Sequence, residues 1–80
     1  MEQYIATFHT HLAALRTDRA LKQLGVSSRM MPVPRRLSSS CGTCVSYQAD
    51  TDRKAAMDTD LEALYRLTAP ECYELLCKND

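Results

Sequence analysis

The chain has 80 residues, of which 45% are apolar and 25% charged, and its formal net charge is zero. This composition excludes a disordered or low-complexity protein, and so short a chain cannot divide its hydrophobic core, so we expect a single domain over residues 1–80. The longest apolar run is far shorter than the roughly 18 residues of a membrane span, and no signal peptide pattern begins the sequence. We therefore expect a cytoplasmic protein that does not bind a membrane.

The number of cysteines and the distribution of charge limit the roles that the cysteines and the basic residues can have. Four cysteines are too few for a disulfide scaffold. In a reducing compartment we expect these cysteines to be buried apolar residues, metal ligands or reactive thiols. The first forty residues carry six basic and two acidic side chains, and the second half has the opposite excess. An anionic ligand bound by the basic half fits this asymmetry, but a dipolar surface explains it more simply.

Periodicity predicts a strand followed by a helix at the start of the chain. Residues 3–8 alternate with apolar side chains on both faces, which is typical of a central strand. From Thr10 or His11 to Leu24, the apolar residues recur at helical spacing. Gly25 then stands where a left-handed C-terminal cap is expected.

A long connection separates the next two predicted strands. Residues 26–33 have an extended pattern that contains Pro32 and is followed by Pro34. Because proline has no backbone N–H to donate, we expect this strand at a sheet edge. Residues 35–42 contain three consecutive serines and end at Gly42, a pattern that predicts an irregular loop with an accessible Cys41. Residues 44–49 alternate again and are expected to pair with the preceding strand as a hairpin.

The last part of the chain predicts a second helix and a final strand. Thr59 and Glu62 match the Ser/Thr-x-x-Glu capping pattern, so a helix is expected over residues 60–67. Pro70 should end this helix, and residues 72–77 are apolar enough for a strand. The resulting order is that of the ferredoxin-like βαββαβ fold, with two helices on one face of a four-stranded antiparallel sheet.

Large apolar side chains are more numerous than a single layer between helices and sheet would bury. Some of them are therefore expected on a surface that forms a homodimer or binds a partner protein. A non-catalytic interaction module is accordingly the alternative to a chemical function. The residues concerned are Tyr4, Phe8, Met30, Met31, Tyr47 and Tyr73.

The segment around Cys41 is the part of the sequence best suited to chemistry. A cysteine reacts as its thiolate, which nearby cations stabilise, so Arg35 and Arg36 favour a nucleophilic Cys41. Gly42 permits the turn that exposes it. The two cysteines of residues 72–77 lie in an apolar strand, where at least one should be buried and inert, so Cys41 is expected to be the most reactive thiol. From composition alone, a partly buried cysteine beside two solvated arginines is the simpler interpretation.

Short motifs along most of the chain resemble one family. They are a strand that ends in Phe8, a helix with Ala14, Asp18 and Leu21, then Gly25, and the motifs Pro32-Val33-Pro34-Arg35 and Ser39-x-Cys41-Gly42. On these residues the chain resembles the selenium/sulfur carrier-like proteins of bacteria.

This resemblance implies a sulfur or selenium carrier, or an accessory protein, rather than a classical enzyme. Cys41 occupies the position of the thiol that would hold the cargo, as a persulfide or its selenium analogue. The implied partners are sulfur or selenium donor and acceptor proteins, and no cofactor is expected. The residues expected to contact the substrate are Arg35, Arg36, Ser40 and Gly42.

Cys44 departs from the family pattern, which has a small apolar residue at this position, and it forms a Cys-x-x-Cys pair with Cys41. As a redox pair, Cys44 would resolve a mixed disulfide or persulfide on Cys41, although the βαβ context of a thioredoxin is missing. The acidic segment after Ala49 is a second departure. One Cys-x-x-Cys is weak evidence for zinc, and no metal is expected, because two more ligands would have to come from Cys72, Cys77, His9 or His11.

His9 and His11 flank Thr10 at the predicted start of the helix, where free backbone amides favour an anion such as a sulfur or selenium oxyanion. An N-cap formed by Thr10 with two surface histidines is the simpler interpretation. The sequence has no glycine-rich phosphate loop and no spacing typical of a hydrolase. It also lacks the basic and aromatic pattern of an RNA-binding sheet, so no nucleic acid is expected as a partner.

Overall fold

The computed structural model describes residues 1–79, which form one α-helix, a short 3-10 helix and one antiparallel sheet of five strands. In chain order the elements are β1 (Glu2–Phe8), α1 (His11–Gln23), β2 (Ser27–Pro32), β3 (Thr43–Ala49), the 3-10 helix (Lys54–Ala56), β4 (Leu61–Ala69) and β5 (Cys72–Lys78). Across the sheet the strand order is β2-β3-β1-β4-β5. The predicted positions of β1 at the centre and β2 at an edge are therefore confirmed.

Local signals set both ends of α1. At its N-terminus the Thr10 hydroxyl accepts a hydrogen bond from the Ala13 backbone amide at 3.2 Å, which satisfies one of the free amides of the first turn. At its C-terminus Gly25 has a φ of 78°, and the Val26 amide donates to the Leu21 carbonyl at 3.0 Å. This Schellman-type ending confirms the left-handed cap predicted at Gly25.

The main core lies between α1 and the sheet. The helix contributes Ala13, Ala14 and Leu21, and the central strands contribute large side chains that include Tyr4 and Tyr47. The rings of these two tyrosines stack with their centroids 5.2 Å apart. Of the six large apolar residues from which some were expected on an exposed surface, Tyr4, Phe8 and Tyr47 lie in this core and are buried.

The predicted ferredoxin-like βαββαβ fold is wrong, because residues 61–69 form a strand rather than a second helix. β4 pairs with β1 on one side and with β5 on the other, so both neighbours satisfy its backbone groups. The sequence of β4 fits the period of a helix as well as that of a strand. Leu61 and Leu64 have helical spacing, whereas Leu61 and Ala63 alternate as in a strand. Tertiary pairing overrides the local capping signal. No helix among the described residues is long and apolar enough to cross a membrane.

A tight hairpin joins β4 to β5. Ala69 pairs with Cys72, which leaves a two-residue turn, and Glu71 has a φ of 60°. Pro70 opens this turn instead of ending a helix, in keeping with the preference of proline for the first central position of a turn. The predicted final strand is confirmed, but β5 is an edge strand whose Cys72 is exposed and Cys77 partly buried, so the expected burial of one cysteine is wrong.

A long loop crosses the sheet face that α1 leaves uncovered. The Val33 amide donates to the Gly42 carbonyl at 3.2 Å and closes a loop of residues 34–41, called the Cys41 loop below. This loop runs from β2 over the sheet, so that Ser38 lines a groove with Tyr65 of β4. The loop explains why several residues on this second face are buried, namely Ile5, Thr7, Cys44 and Ala63.

Candidate thiol site

Two consecutive serines of the Cys41 loop bind it to the sheet through hydrogen bonds. Ser39 donates from its hydroxyl to the Phe8 carbonyl at 2.9 Å, at the C-terminal end of β1. Ser40 donates to the Glu62 carboxylate from its amide at 3.3 Å and from its hydroxyl at 2.8 Å. The serines that predict an irregular loop thus provide its contacts with the two central strands.

The Cys41 thiol lies at the end of β1 and is partly buried. Its hydrogen-bond partners are the Phe8 carbonyl at 3.3 Å and the Thr43 carbonyl at 3.4 Å, and the Ser39 hydroxyl is 3.9 Å away. Both carbonyls are acceptors, so the thiol takes part as a donor. A thiolate has no proton to donate, so both contacts depend on the protonated thiol.

Cys44 lies deeper on the same face, opposite Thr7 of β1 and Met31 of β2. It is fully buried, and its Sγ is 3.7 Å from the Pro32 carbonyl oxygen. Burial raises the pKa of the Cys44 thiol to about 11, and a negative charge on Cys41 raises it further. The Cys-x-x-Cys pair is therefore asymmetric, with one partly exposed thiol in a loop and one buried thiol in a strand. Both cysteines are free.

The structure places the two arginines of the loop on the surface. The Nε atom of Arg36 is 4.0 Å from the Glu71 carboxylate at the β4-β5 turn, with 66% and 78% of these side chains exposed. Such an exposed pair contributes little to stability. Among the described residues, the hydrogen-bond partners of Cys41 include neither Arg35 nor Arg36. Their effect on a Cys41 thiolate, and the substrate contacts expected of them, stay predictions.

Gly42 occupies the turn from the loop into β3. Its φ of 73° lies in the left-handed region, where a side chain is strained even though no atom lies within 4 Å of an added Cβ. The glycine is therefore required for its backbone conformation rather than for space. Its predicted role at the turn agrees with this geometry, whereas direct substrate contacts of Gly42 and Ser40 stay predictions.

Glu62 is the residue of this site that the sequence analysis assigns to another role. Its carboxylate receives both hydrogen bonds of Ser40 and lies 3.4 Å from Nδ1 of His9. As the expected last member of a capping box, Glu62 was placed inside a helix. A strand assignment for residues 61–69 would have pointed to its location beside the end of β1, since β4 pairs with β1.

The remaining candidate ligands are dispersed over the described residues. His9 is close to Glu62, and His11 lies in the exposed first turn of α1. Cys72 is at the start of the edge strand and Cys77 near its end. Within residues 1–79, no three histidine, cysteine, aspartate or glutamate side chains come together as a metal site.

Comparison with known proteins identifies the group to which these motifs belong. Residues 3–62 match the family described as "Putative Se/S carrier protein-like". The chain belongs to this family. The matched region extends from β1 to the first residues of β4, so it contains the whole Cys41 loop, Cys44 and Glu62. The resemblance inferred from the motifs is thereby confirmed.

A curated relative in Escherichia coli (strain K12), "Uncharacterized protein YtiA", is 31% identical to the chain over 45 residues. The match covers 56% of this chain and 53% of the relative, so the chain spans about half the length of the curated protein that it matches. No solved structure matches the chain significantly. Membership of the carrier-like family is thus the functional statement that these comparisons support.

Proposed function

We propose that this protein carries sulfur or selenium on Cys41. The supporting observation is the asymmetric thiol pair: Cys41 is partly exposed in a loop over the end of β1, and Cys44 is buried on the same sheet face. Family membership supports the same cargo. A carrier needs one thiol that a donor protein can reach and a protected environment that slows the loss of the cargo to solvent.

The loading step transfers one sulfur atom without net oxidation. The Cys41 thiolate attacks the outer sulfur of a persulfide on the donor protein, a new S–S bond forms on Cys41, and the S–S bond of the donor breaks. The donor cysteine leaves as a thiolate and takes up a proton. A selenium donor would load Cys41 by the same exchange, with selenium as the outer atom.

Cys44 supplies a route for release. Its thiolate attacks Sγ of the loaded Cys41, a Cys41–Cys44 disulfide forms, and the outer sulfur leaves as hydrosulfide. Cys44 is oxidised while the outer sulfur is reduced, Sγ of Cys41 keeps its oxidation state, and a cellular dithiol must then reduce the disulfide. Because burial raises the pKa of Cys44 to about 11, this step has to wait until the loop moves and Cys44 is solvated.

Mass spectrometry after incubation with a cysteine desulfurase and cysteine tests the carrier function. The wild type should gain the mass of one sulfur atom, and Cys41→Ser should abolish the gain. Cys44→Ser should prolong it, because the resolving thiol is gone. Cys72→Ser is the matched control, since Cys72 is exposed on the edge strand. Equal loading of the wild type and Cys41→Ser would contradict the proposal.

An interaction module is the second candidate, and the edge strand β5 favours it. Leu75 and Leu76 of this strand are 52% and 39% exposed, and the outer side of β5 has no neighbouring strand in the sheet. Such an edge can accept a strand of a partner protein or of a second copy. Replacement of Leu75 by lysine should then abolish the association in sedimentation experiments without changing sulfur loading, whereas a carrier that works as a monomer would be unaffected.

A further inference from the structure

Glu62 accepts two hydrogen bonds from the Cys41 loop. One carboxylate oxygen accepts a hydrogen bond from the Ser40 amide at 3.3 Å, and the other accepts one from the Ser40 hydroxyl at 2.8 Å. The same carboxylate is 3.4 Å from Nδ1 of His9, and only 19% of the Glu62 side chain is exposed. Hydrogen bonds to a partly buried carboxylate are stronger than those between neutral groups.

The other contacts of the loop are weaker or shared. Arg36 approaches Glu71 at 4.0 Å, and both side chains are largely solvated. Ser39 and Cys41 both donate to the carbonyl of Phe8. Because Ser40 lies between Ser39 and Cys41 in the chain, its contact with Glu62 also holds these two neighbours over the end of β1.

We propose that Glu62 is a positioning residue that keeps the Cys41 loop closed and so controls access to Cys41. In the closed loop, the thiol donates to the Phe8 and Thr43 carbonyls. Release of Ser40 from Glu62 lets the loop lift and exposes the Cys41 sulfur to an incoming reagent or donor. The role of this opening in cargo loading rests on the proposed carrier function, but control of thiol access does not.

Alkylation of native protein by iodoacetamide, followed by peptide mapping, measures this control. Glutathione added to the same reaction serves as the reference, because Cys72 lines a cavity together with Arg36 and Leu37 of the Cys41 loop. In Glu62→Ala, the rate at Cys41 relative to glutathione should rise about tenfold, the change expected when a charged hydrogen-bonded contact is lost. Glu71→Ala is the matched control, since Glu71 contacts the same loop through an exposed pair, and it should leave the ratio unchanged.

A double-mutant cycle separates positioning from general destabilisation. Ser40→Ala removes the same contact from the loop side, so it should raise the Cys41 rate too, and Glu62→Ala combined with Ser40→Ala should add little to either single change. Cys77 is partly buried against the core cluster that the helix and the sheet share, so it reports on unfolding, and its rate should stay low in all of these variants. Ser40→Ala also keeps the test available if Glu62→Ala does not fold.

The outcomes distinguish this proposal from the carrier function. An unchanged Cys41 rate in Glu62→Ala and Ser40→Ala would overturn it, as would fully additive effects or equal acceleration of Cys41 and Cys77. Absence of sulfur loading in the wild type, with the alkylation results as expected, would instead reject the carrier function and leave the role of Glu62 intact.

Discussion

The buried thiol of Cys44 should react slowly with alkylating reagents at neutral pH. Burial raises its pKa to about 11, whereas an ordinary cysteine has a pKa of about 8.5. At a pH of about 7.5, the thiolate fraction is then about 0.0003 for Cys44 and about 0.1 for an ordinary cysteine. Ionisation alone therefore lowers the reactive fraction about 300-fold.

Intrinsic nucleophilicity offsets part of this difference. A more basic thiolate is the stronger nucleophile, and with a Brønsted coefficient of about 0.45 the shift in pKa increases the rate of each thiolate about 13-fold. The net expectation is that Cys44 reacts about 20-fold more slowly than an ordinary cysteine. Because Cys44 is fully buried, exclusion of the reagent should slow it further, and about 20-fold is the minimum.

The assay compares native protein with protein unfolded in urea, with iodoacetamide as the reagent and the Cys44 peptide quantified by mass spectrometry. Unfolded Cys44 serves as its own reference. In the native protein the rate should be at least about 20-fold lower at a pH of about 7.5 and should rise about tenfold for each pH unit up to about 10. Native labelling as fast as unfolded labelling, or a rate that levels off below a pH of about 9, would refute the reasoning.

Three further changes test the packing of the fold. The raised pKa of Cys44 means that the unfolded chain loses its thiol proton first, so Cys44 should lower the free energy of unfolding by about 1 kcal/mol between a pH of about 8.5 and about 10. In urea titrations, the decline should be smaller by this amount in Cys44→Ala than in the wild type. Asp18→Ala removes hydrogen bonds at 2.8 Å from Ser28 and 2.9 Å from Lys22, so the melting temperature should fall by about 10 °C, with Lys22→Ala as the milder control. Gly25→Ala should cost about 1 kcal/mol, because Gly25 has a φ of 78°, and an unchanged unfolding midpoint would contradict the strain expected of a left-handed alanine.

The roles of Cys41 and Glu62 illustrate how far local patterns reach. Cys41 stands out in the sequence because a serine-rich stretch and Gly42 surround it, and the structure places it in the predicted loop. Glu62 stands out only as the end of a capping pattern. Its contact with Ser40 joins residues that are 22 positions apart, and no spacing rule connects a loop residue to a strand residue over that distance.

The second half of the fold was mispredicted for a related reason. Residues 61–69 contain leucines and alanines that fit a helix as well as a strand, and Thr59 with Glu62 resembles a helix start. In the structure the Asp60 carboxylate accepts a hydrogen bond from the Thr10 hydroxyl at 2.9 Å. The backbone of residues 61–69 pairs with β1 on one side and with β5 on the other. These interactions involve distant parts of the chain and outweigh a preference of a few tenths of a kcal/mol to about 1 kcal/mol per residue.

Local sequence patterns are enough to predict the first strand, α1 with both of its caps, the edge position of β2 and the irregular loop that carries Cys41. Each of these depends on neighbours within a few residues: the Thr10 cap, the left-handed Gly25 and the prolines that cannot donate a hydrogen bond. Three features emerge only in the folded chain: residues 61–69 form a strand, the Cys41 loop covers the second sheet face, and Glu62 holds the loop there. These features arise from long-range pairing and burial, whose free energies depend on which segments meet in space.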